Sequence, residues 1–436
     1  MISGPDDFPS VPPMTKKDLA AAWPLSECVD GTSESAALVV ASSGTSGTAT
    51  FWPRGEKSFT DAEEHFDSLF RSQFGTDEHR TLVIVCFAMG TWTGGTYALL
   101  ALLGLRLRGH RITVITPGVD LISAQTALTT LGPLFERIVI AGYPPYVRDL
   151  LDQATEPALR QDIRLLVGGE PTSEDWRDHV VELLGRREQP ERVIAVYGAS
   201  EIGFVGNETA FTIAVRRTAR RDDALAAAVF GTDDSGAATG LQPTLVEYDP
   251  QSCYIETEDG YLLFTIGGTV PTVRYRVNDR GAVFSGYDLA RILGSAGHTD
   301  LAGAVRADSW YLAMSGRTDV AASLYGANIY PDPVHAAIDH PAFATAITGK
   351  FVLSTTRHEQ REQLRIQVEL RPEMVADETL AQRLSAAAAD ALSAANSEYR
   401  VLRTQLGTVT DPAVVLEPYG SAAFPRGIKQ RRVRQP

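Results

Sequence analysis

The sequence predicts an α/β protein: a large N-terminal domain of mixed and parallel sheets flanked by helices, followed by a small α+β domain. Three observations carry this expectation. A strand–helix–strand run occupies residues 81–116, at the spacing of a βαβ unit and hence of a parallel sheet. Three apolar runs, ending at Ala41, Val167 and Val196, each open into a loop of small polar residues. The 436 residues exceed what one hydrophobic core usually supports, so at least two domains are expected.

Composition narrows the class. Hydrophobic residues make up 44% and charged residues 22%, as in a soluble globular protein. A net charge of −14 argues against nucleic acid as the main partner. Cys28, Cys86 and Cys253 are far apart, which excludes a cysteine-cluster zinc site or a disulfide scaffold and suits a reducing cytoplasm. Residues 1–13 are acidic and proline-rich, unlike a signal peptide. Residues 81–105 resemble a membrane span in hydropathy, but Thr91, Thr93, Gly94, Gly95 and Thr96 interrupt them, so a buried strand, a loop and a buried helix are expected and no membrane partner.

In chain order, residues 1–35 hold Pro9, Pro12, Pro13 and Pro24 around Lys16-Lys17-Asp18, an irregular approach to the first strand. Residues 36–41 are that strand, and it opens into Ser42-Ser43-Gly44-Thr45-Ser46-Gly47-Thr48-Ala49-Thr50. Glycines let a backbone turn sharply and bring N–H groups up to an anion, and hydroxyls add donors without bulk. The segment is either a polyphosphate cradle or a flexible polar turn. It is not the common P-loop, because no Gly-Lys-Ser/Thr closes it. Residues 60–74 read as an amphipathic helix, 81–87 as a strand, 88–96 as a Gly-rich connection, 97–107 as a helix and 111–116 as a strand.

Residues 163–167 lead into Gly168-Gly169-Glu170-Pro171, and 192–196 into Tyr197-Gly198-Ala199-Ser200-Glu201. Ligands of open α/β sheets bind where carboxyl ends of strands release such loops, so the loops either converge on one site or are separate turns. Residues 206–245 are less regular, with Arg216-Arg217 and Arg220-Arg221 read as solvated surface charge. Residues 245–248, 253–257 and 261–266 read as antiparallel strands with turns at Asp249-Pro250 and Asp259-Gly260. Residues 273–279 end in Asp279, whose carboxylate would suit ribose hydroxyls; the alternative is an ordinary Arg–Asp pair. Residues 289–310 receive no assignment. Ser315-Gly316-Arg317-Thr318-Asp319 punctuates the chain, giving domains 1–316 and 317–436. In the second, 351–356 and 364–370 alternate like hairpin strands, 377–396 is an Ala-rich helix and 413–416 is a strand. The basic end, 425–434, has the pattern of a solvated charge run. The eight histidines form no pair at i, i+4 spacing and are expected at surface or satisfied core positions, and Cys86 is expected in packing.

In this order the motifs resemble those of the adenylate-forming superfamily of acyl-CoA synthetases, carrier-loading adenylation domains and beetle luciferases, with the phenylacetate–CoA ligase branch the nearest in likeness. The likeness covers most of the chain. Ser42-Ser43-Gly44-Thr45-Ser46-Gly47 resembles the family's Ser-Ser-Gly-Thr-Thr-Gly phosphate loop. Trp92-Thr93-Gly94-Gly95 resembles its aromatic-Thr-Gly-Gly segment, Gly169-Glu170-Pro171 its Ala-Glu-Pro adenine segment, and Tyr197-Gly198-Ala199-Ser200-Glu201 its Tyr-Gly-x-Ser/Thr-Glu. Arg274-Tyr275-Arg276 with Asp279 resembles Tyr-Arg-x-x-Asp, and Gly316-Arg317-Thr318-Asp319 with Gly326-Ala327-Asn328-Ile329-Tyr330-Pro331 resembles the hinge and the loop after it.

The resemblance implies ATP- and Mg²⁺-dependent activation of a carboxylic acid as acyl-AMP, with pyrophosphate released, then transfer to a thiol, most simply CoA. It implies that Ser42, Ser43, Gly44, Thr45, Ser46 and Gly47 hold phosphate, with Thr45 catalytic. Gly169, Glu170, Pro171, Tyr197, Gly198, Ala199, Ser200 and Arg317 would surround AMP, with Asp279 at the ribose. Glu201 would be the magnesium ligand and Lys429 would bridge the substrate carboxylate and the α-phosphate. The small domain would rotate about Asp319. Trp92, Gly94, Gly95 and Tyr146 would line the acyl pocket, where an aromatic wall and close glycines fit a flat aryl acid. This chain departs from the family in having Thr48 where the loop usually has lysine, Gly427-Ile428-Lys429 instead of Gly-Lys, and fewer residues before the loop. A carrier-protein thiol, an amine or another nitrogen nucleophile stands as the alternative acceptor, and a non-catalytic nucleotide-binding homologue as the third reading. The acid, the acceptor and the oligomeric state, a homodimer included, are not legible in the sequence.

Overall fold

Thr81–Cys86 is buried at every position, Arg137–Gly142 at all but its first and Ile163–Val167 at all but its second. Strands buried on both faces need helices on both sides, which parallel βαβ connections supply. A computed structural model describes residues 4–16, 18–19, 36–42, 50–169, 172, 174–231, 243–317, 322–329, 331–338, 340–343, 345–358, 361–424 and 433. The chain divides into a unit containing residues 51–318 and the N-terminal segment, and a second unit from Asp319 to the end.

The first unit begins with β1 (Met14–Thr15), β2 (Leu38–Ser42) and β3 (Thr50–Arg54), β2 pairing with β3. Then come α1 (Glu56–Phe74), β4 (Thr81–Cys86), α2 (Ala98–Leu107), β5 (Ile112–Ile115), α3 (Leu121–Thr126), β6 (Arg137–Gly142), α4 (Pro144–Asp152), α5 (Glu156–Leu159), β7 (Ile163–Val167), α6 (Glu174–Leu183), β8 (Val193–Ala199) and β9 (Gly203–Asn207). Helices α7 (Ala210–Ala219) and α8 (Asp223–Phe230) precede β10 (Thr244–Tyr248), β11 (Tyr254–Glu258), β12 (Tyr261–Ile266) and β13 (Thr272–Ser285). Helices α9 (Gly286–Ser295) and α10 (Thr299–Ala304) lead to β14 (Trp310–Arg317).

Among the described residues these strands form one 12-stranded sheet in the order β11-β12-β13-β14-β10-β9-β8-β7-β6-β4-β5, with β1 pairing β13 off this path. From β5 to β8 every pairing is parallel. From β8 onward to β11 every pairing is antiparallel. Parallel register aligns Cys86 with Gly142, Gly142 with Val167 and Val167 with Ala195, so the segments after these residues leave one edge together. The Asp259-Gly260 turn has φ of 52° and 77°, the positive values that a two-residue hairpin needs. One core packs Phe66, Phe70 and Phe74 of α1 and Leu102 and Leu105 of α2 on the parallel strands. A second gathers Trp52, Phe264 and Tyr275 against the antiparallel half.

Four readings change. The first helix starts at Glu56, four residues before expectation, because Gly55 in extended conformation lets the chain enter it there. Tyr197, Gly198 and Ala199 extend strand β8, since Gly203–Asn207 folds back and pairs with them. Residues 206–245 contain α7 and α8, and Arg216 is only 4% exposed, so it is not solvated surface charge. Residues 289–310 hold most of α9 and all of α10, whose Leu289 and Leu293 pack with Tyr311.

In the second unit β15 (Ala322–Leu324) pairs with β16 (Ala327–Ile329), and α11 (Pro331–Ile338) follows. The hairpin β17 (Ile347–His358) and β18 (Arg361–Leu370) is joined in parallel by β19 (Ala413–Glu417), after α12 (Glu378–Ala395) and α13 (Ser397–Leu406). Asp377 caps α12 by accepting from the Thr379 and Leu380 N–H groups. Among the described residues no helix is long and apolar enough to cross a membrane.

Candidate active site

At the carboxyl edge of the parallel strands, Ser200 is a junction. Its hydroxyl accepts from the Thr93 hydroxyl at 2.9 Å and reaches the Ala41 carbonyl at 3.5 Å. Its own carbonyl accepts from the Arg54 guanidinium. Ala41 also bridges to Trp92, and its N–H donates to the Thr91 carbonyl at 2.8 Å. The stem of the Ser/Gly loop, the Trp92-Thr93 segment and the turn after β8 are thereby held together. The third loop lies beside them: a Cβ on Gly168 would stand 2.7 Å from Val196 Cγ2.

Tyr197 and Asp279 come from distant strands, and the Tyr197 hydroxyl donates to Asp279 Oδ2 at 2.5 Å. Asp279 is 9% exposed and is paired in β-register with Arg317. Arg274 serves packing: its guanidinium donates to Glu256 at 3.0 Å, Glu258 at 2.9 Å and the Val11 carbonyl at 2.6 Å. Arg276 lies over the Tyr261 ring, 4.7 Å from its centre.

Gly169 has φ of +84°, and a Cβ there would lie 2.6 Å from the Tyr143 ring. Glycine is therefore required by backbone conformation and by close approach. Tyr143 was not foreseen as a site residue. It follows β6 directly and meets Phe87 edge-on at 5.1 Å. The signal was available: an aromatic at a strand's carboxyl end, one helical turn before Tyr146. Trp92 is buried, and a Cβ on Gly95 would collide with the Ala88 carbonyl, so Gly95 has a packing reason of its own. A Cβ on Gly94 would make only ordinary contact with Phe87. Tyr146, buried on α4, has no hydrogen-bond partner for its hydroxyl among the described residues, and burial raises its pKa.

Glu201 follows Ser200. Lys16 Nζ stands 3.7 Å from its carboxylate, the two side chains being 21% and 15% exposed. Burial lowers the Arg54 pKa, while the phenol of Tyr97 and the charge of Glu201 act in the opposite sense. Among the described residues there is no group of three or more His, Cys, Asp or Glu that could hold a metal. A single carboxylate that shares a cation with substrate phosphates is the arrangement magnesium accepts, and Glu201 fits it.

Under this edge lies a buried ion cluster that the sequence reading missed. Glu208 is fully buried; it accepts from Arg177 at 2.7 Å, from Arg216, and from the Ala195 N–H at 2.9 Å. Arg177 also donates to Glu174 at 3.1 Å, and Arg216 to the Thr172 carbonyl at 2.6 Å. Burial raises the Glu208 pKa, but the charges of Arg177 and Arg216 outweigh it and hold the carboxyl below its usual value. The cluster ties Thr172, next to the Gly169-Glu170-Pro171 segment, to the strand that carries Tyr197.

Ser43, Gly44, Thr45, Ser46, Gly47, Glu170, Pro171, Asp319 and Lys429 lie outside the described residues, and Ser42 and Arg317 are described by backbone alone. His110 is a satisfied core histidine between the Thr76 hydroxyl at 2.6 Å and Asp67 at 2.7 Å. Burial raises the thiol pKa of Cys86, in keeping with packing.

No known protein-family profile and no curated protein matches the sequence. Solved structures do. A 2-hydroxyisobutyryl-CoA ligase in complex with 2-HIB-AMP and CoA superimposes with a TM-score of 0.55 at 18% identity, covering 99% of this chain and 81% of that one. The amide bond synthetase McbA from Marinactinospora thermotolerans gives 0.48 at 15% identity, over 92% of this chain and 69% of that one. An acyl acid amido synthetase in complex with 2,4-DB gives 0.44 at 14% identity, over 99% and 86%. With the ligase likeness spanning nearly the whole chain, this protein has the fold of the adenylate-forming enzymes.

Proposed function

We propose that the protein is an adenylate-forming ligase. It activates a carboxylic acid with ATP as acyl-AMP, releases pyrophosphate, and passes the acyl group to a thiol, CoA in the simplest case. The observation that carries this reading is the Tyr197–Asp279 hydrogen bond at 2.5 Å, which joins two motifs 82 residues apart at the sheet edge where Ser200 and Glu201 emerge. The motif spellings favour the phenylacetate–CoA ligase-like branch and an aryl acid. Free, buried Cys86 and Cys253 favour a cytoplasmic setting.

In the first step a carboxylate oxygen attacks the α-phosphorus and the bond to pyrophosphate breaks. In the second the thiol sulfur attacks the acyl carbonyl, loses its proton, and AMP leaves. Asp279 accepts ribose hydroxyls, and Tyr197 holds that carboxylate in place. Tyr143 and Gly169 offer a ring and a bare backbone for the adenine to pack on. Glu201 would hold magnesium, which neutralises phosphate oxygens. Lys429 bridges the substrate carboxylate and the α-phosphate, and residues 317–436 form the lid that carries it about Asp319.

The test is acid-dependent pyrophosphate release from ATP with Mg²⁺, across aryl and aliphatic acids, with and without CoA. Turnover with one acid class, increased by CoA and abolished in Lys429→Ala, is the expected result. Release that CoA leaves unchanged would redirect the acceptor to a carrier thiol or an amine. No release with any acid, together with no ATP binding, would refute the reading.

A further inference from the structure

Arg54 ends β3 and is only 8% exposed. Burying a guanidinium is costly unless a carboxylate balances it, because the charge loses its hydration. The other buried arginines meet that demand: Arg177, Arg192, Arg216 and Arg274 each pair with at least one carboxylate. Among the described residues Arg54 pairs with none. Its side chain makes one hydrogen bond, to the Ser200 carbonyl, and its Nε has no partner. Glu201 is the acid whose charge acts on it, yet the two form no ion pair, and the Glu201 carboxylate stands 3.7 Å from Lys16.

The place of this charge is set by the fold. The Ala37 N–H donates to the Arg54 carbonyl at 2.8 Å, and α1 starts two residues later at Glu56. The side chain reaches the turn after β8 at Ser200, whose hydroxyl accepts from Thr93 at 2.9 Å. Tyr97 also acts on Arg54 but supplies no countercharge: burial pushes its pKa up to about 12, and its hydroxyl donates to the Ser58 carbonyl. Arg54 therefore brings an unbalanced positive charge to the point where Thr93 meets Ser200 and Glu201 follows. A guanidinium with N–H groups to spare matches the two oxygens of a carboxylate or a phosphate.

We propose that Arg54 is an anion-binding residue of this site, its guanidinium taking an oxyanion of the reactants: a phosphate oxygen of ATP or the carboxylate of the acid. This rests on the ligase reading above and adds a residue that none of the sequence motifs contains. The alternative is a structural tie, in which Arg54 only holds the Ser200 carbonyl. The two differ in what the charge is for, since a glutamine can hold a carbonyl but cannot balance an anion.

Arg54→Gln in the full chain separates them, in two arms. One is calorimetric titration with inorganic pyrophosphate in buffer containing EDTA; the other is the KM for whichever acid supports turnover. A loss of about tenfold or more in either arm is expected, the size of a lost hydrogen bond to a charged group, and the arm that moves names the oxyanion. Arg54→Lys should keep part of the affinity, and Lys57→Met, an exposed helix lysine paired with Asp61, should change neither arm. The melting temperature of ligand-free Arg54→Gln should equal or exceed that of wild type, because an unbalanced buried charge is gone. No change in either arm overturns the proposal and leaves the ligase reading intact. A joint fall in affinity and melting temperature, with Arg54→Lys recovering neither, also overturns it, because the structural tie explains both. Wild-type protein that binds neither pyrophosphate nor ATP and turns over no acid overturns both readings.

Discussion

Replacing Glu208 by glutamine would remove one negative charge from a fully buried site. Glu208 and Arg177 have fully buried side chains, while those of Arg216 and Glu174 are 2% and 5% exposed, so the four form a neutral set of two pairs. Glu208→Gln leaves one guanidinium charge in excess, and breaking a buried pair on one side costs about 3–5 kcal/mol. The first unit has roughly 310 residues, and at about 2.1 cal/mol/K per residue that loss lowers its melting temperature by about 5–8 °C. Differential scanning calorimetry of the full chain, with urea titration as a second measure, reads this directly. Glu208→Gln/Arg216→Met restores the charge balance and should lose clearly less than the sum of the single changes. Acidification supplies an independent check. The folded Glu208 pKa lies below its ordinary 4.5, so its contribution is complete above that value and is lost as pH falls through the folded one. The variant should lack this part of the acid sensitivity. A shift below about 2 °C, with strictly additive single changes, would mean that the cluster is solvated and would sink the reasoning.

Tyr197→Phe removes the phenolic donor to Asp279 and should raise the KM for ATP about tenfold with little change in melting temperature, as expected for one charge-assisted hydrogen bond; an unchanged KM would remove Asp279 from the ribose site. Gly169→Ala forces a left-handed backbone and drives a methyl into the Tyr143 ring, a loss of about 1–3 kcal/mol in urea unfolding. Adding Tyr143→Ala should recover the steric part only, and full recovery would show that backbone strain is absent. His65, whose pKa burial pushes down to about 4 while its hydrogen bond with Asn207 opposes the shift, should titrate by NMR with a midpoint near that value. Since the unfolded histidine takes up a proton first, stability should fall as pH drops from about 6.5 towards 4; a midpoint near 6.5 would place His65 in solvent.

The parallel half of the fold was legible because its strands are short apolar runs with loops at fixed ends. Ile163–Val167 needed no more than its own composition. Asp279 was expected at a strand end, but β13 runs on to Ser285 and places it mid-strand. The buried cluster was not legible, because Arg216 and Arg217 are adjacent in sequence and look alike, yet one faces the interior and the other is half-buried. What separates them is which face of α7 meets β8, a tertiary fact. Helix α9 escaped although Leu289, Ile292 and Leu293 stand at helical spacing; in the fold that face packs with Tyr311. Tyr143 was passed over for Tyr146 because both follow the same strand, and only the approach of Gly169 distinguishes them.

The parallel pairing of Met14–Thr15 with Tyr275–Arg276 has a consequence for synthesis of the chain. Its two partners are about 260 residues apart, so at roughly 5–20 residues per second the N-terminal segment waits some 13–50 seconds for its strand to leave the ribosome. Glu201 emerges within that interval, ahead of the strand that fixes Lys16 beside it. A nascent chain cut short before residue 270 would carry most of the parallel sheet yet leave the first fifteen residues without their resting place. The N-terminal segment should therefore become resistant to protease only after residues 272–285 have been made, although it is the first part made.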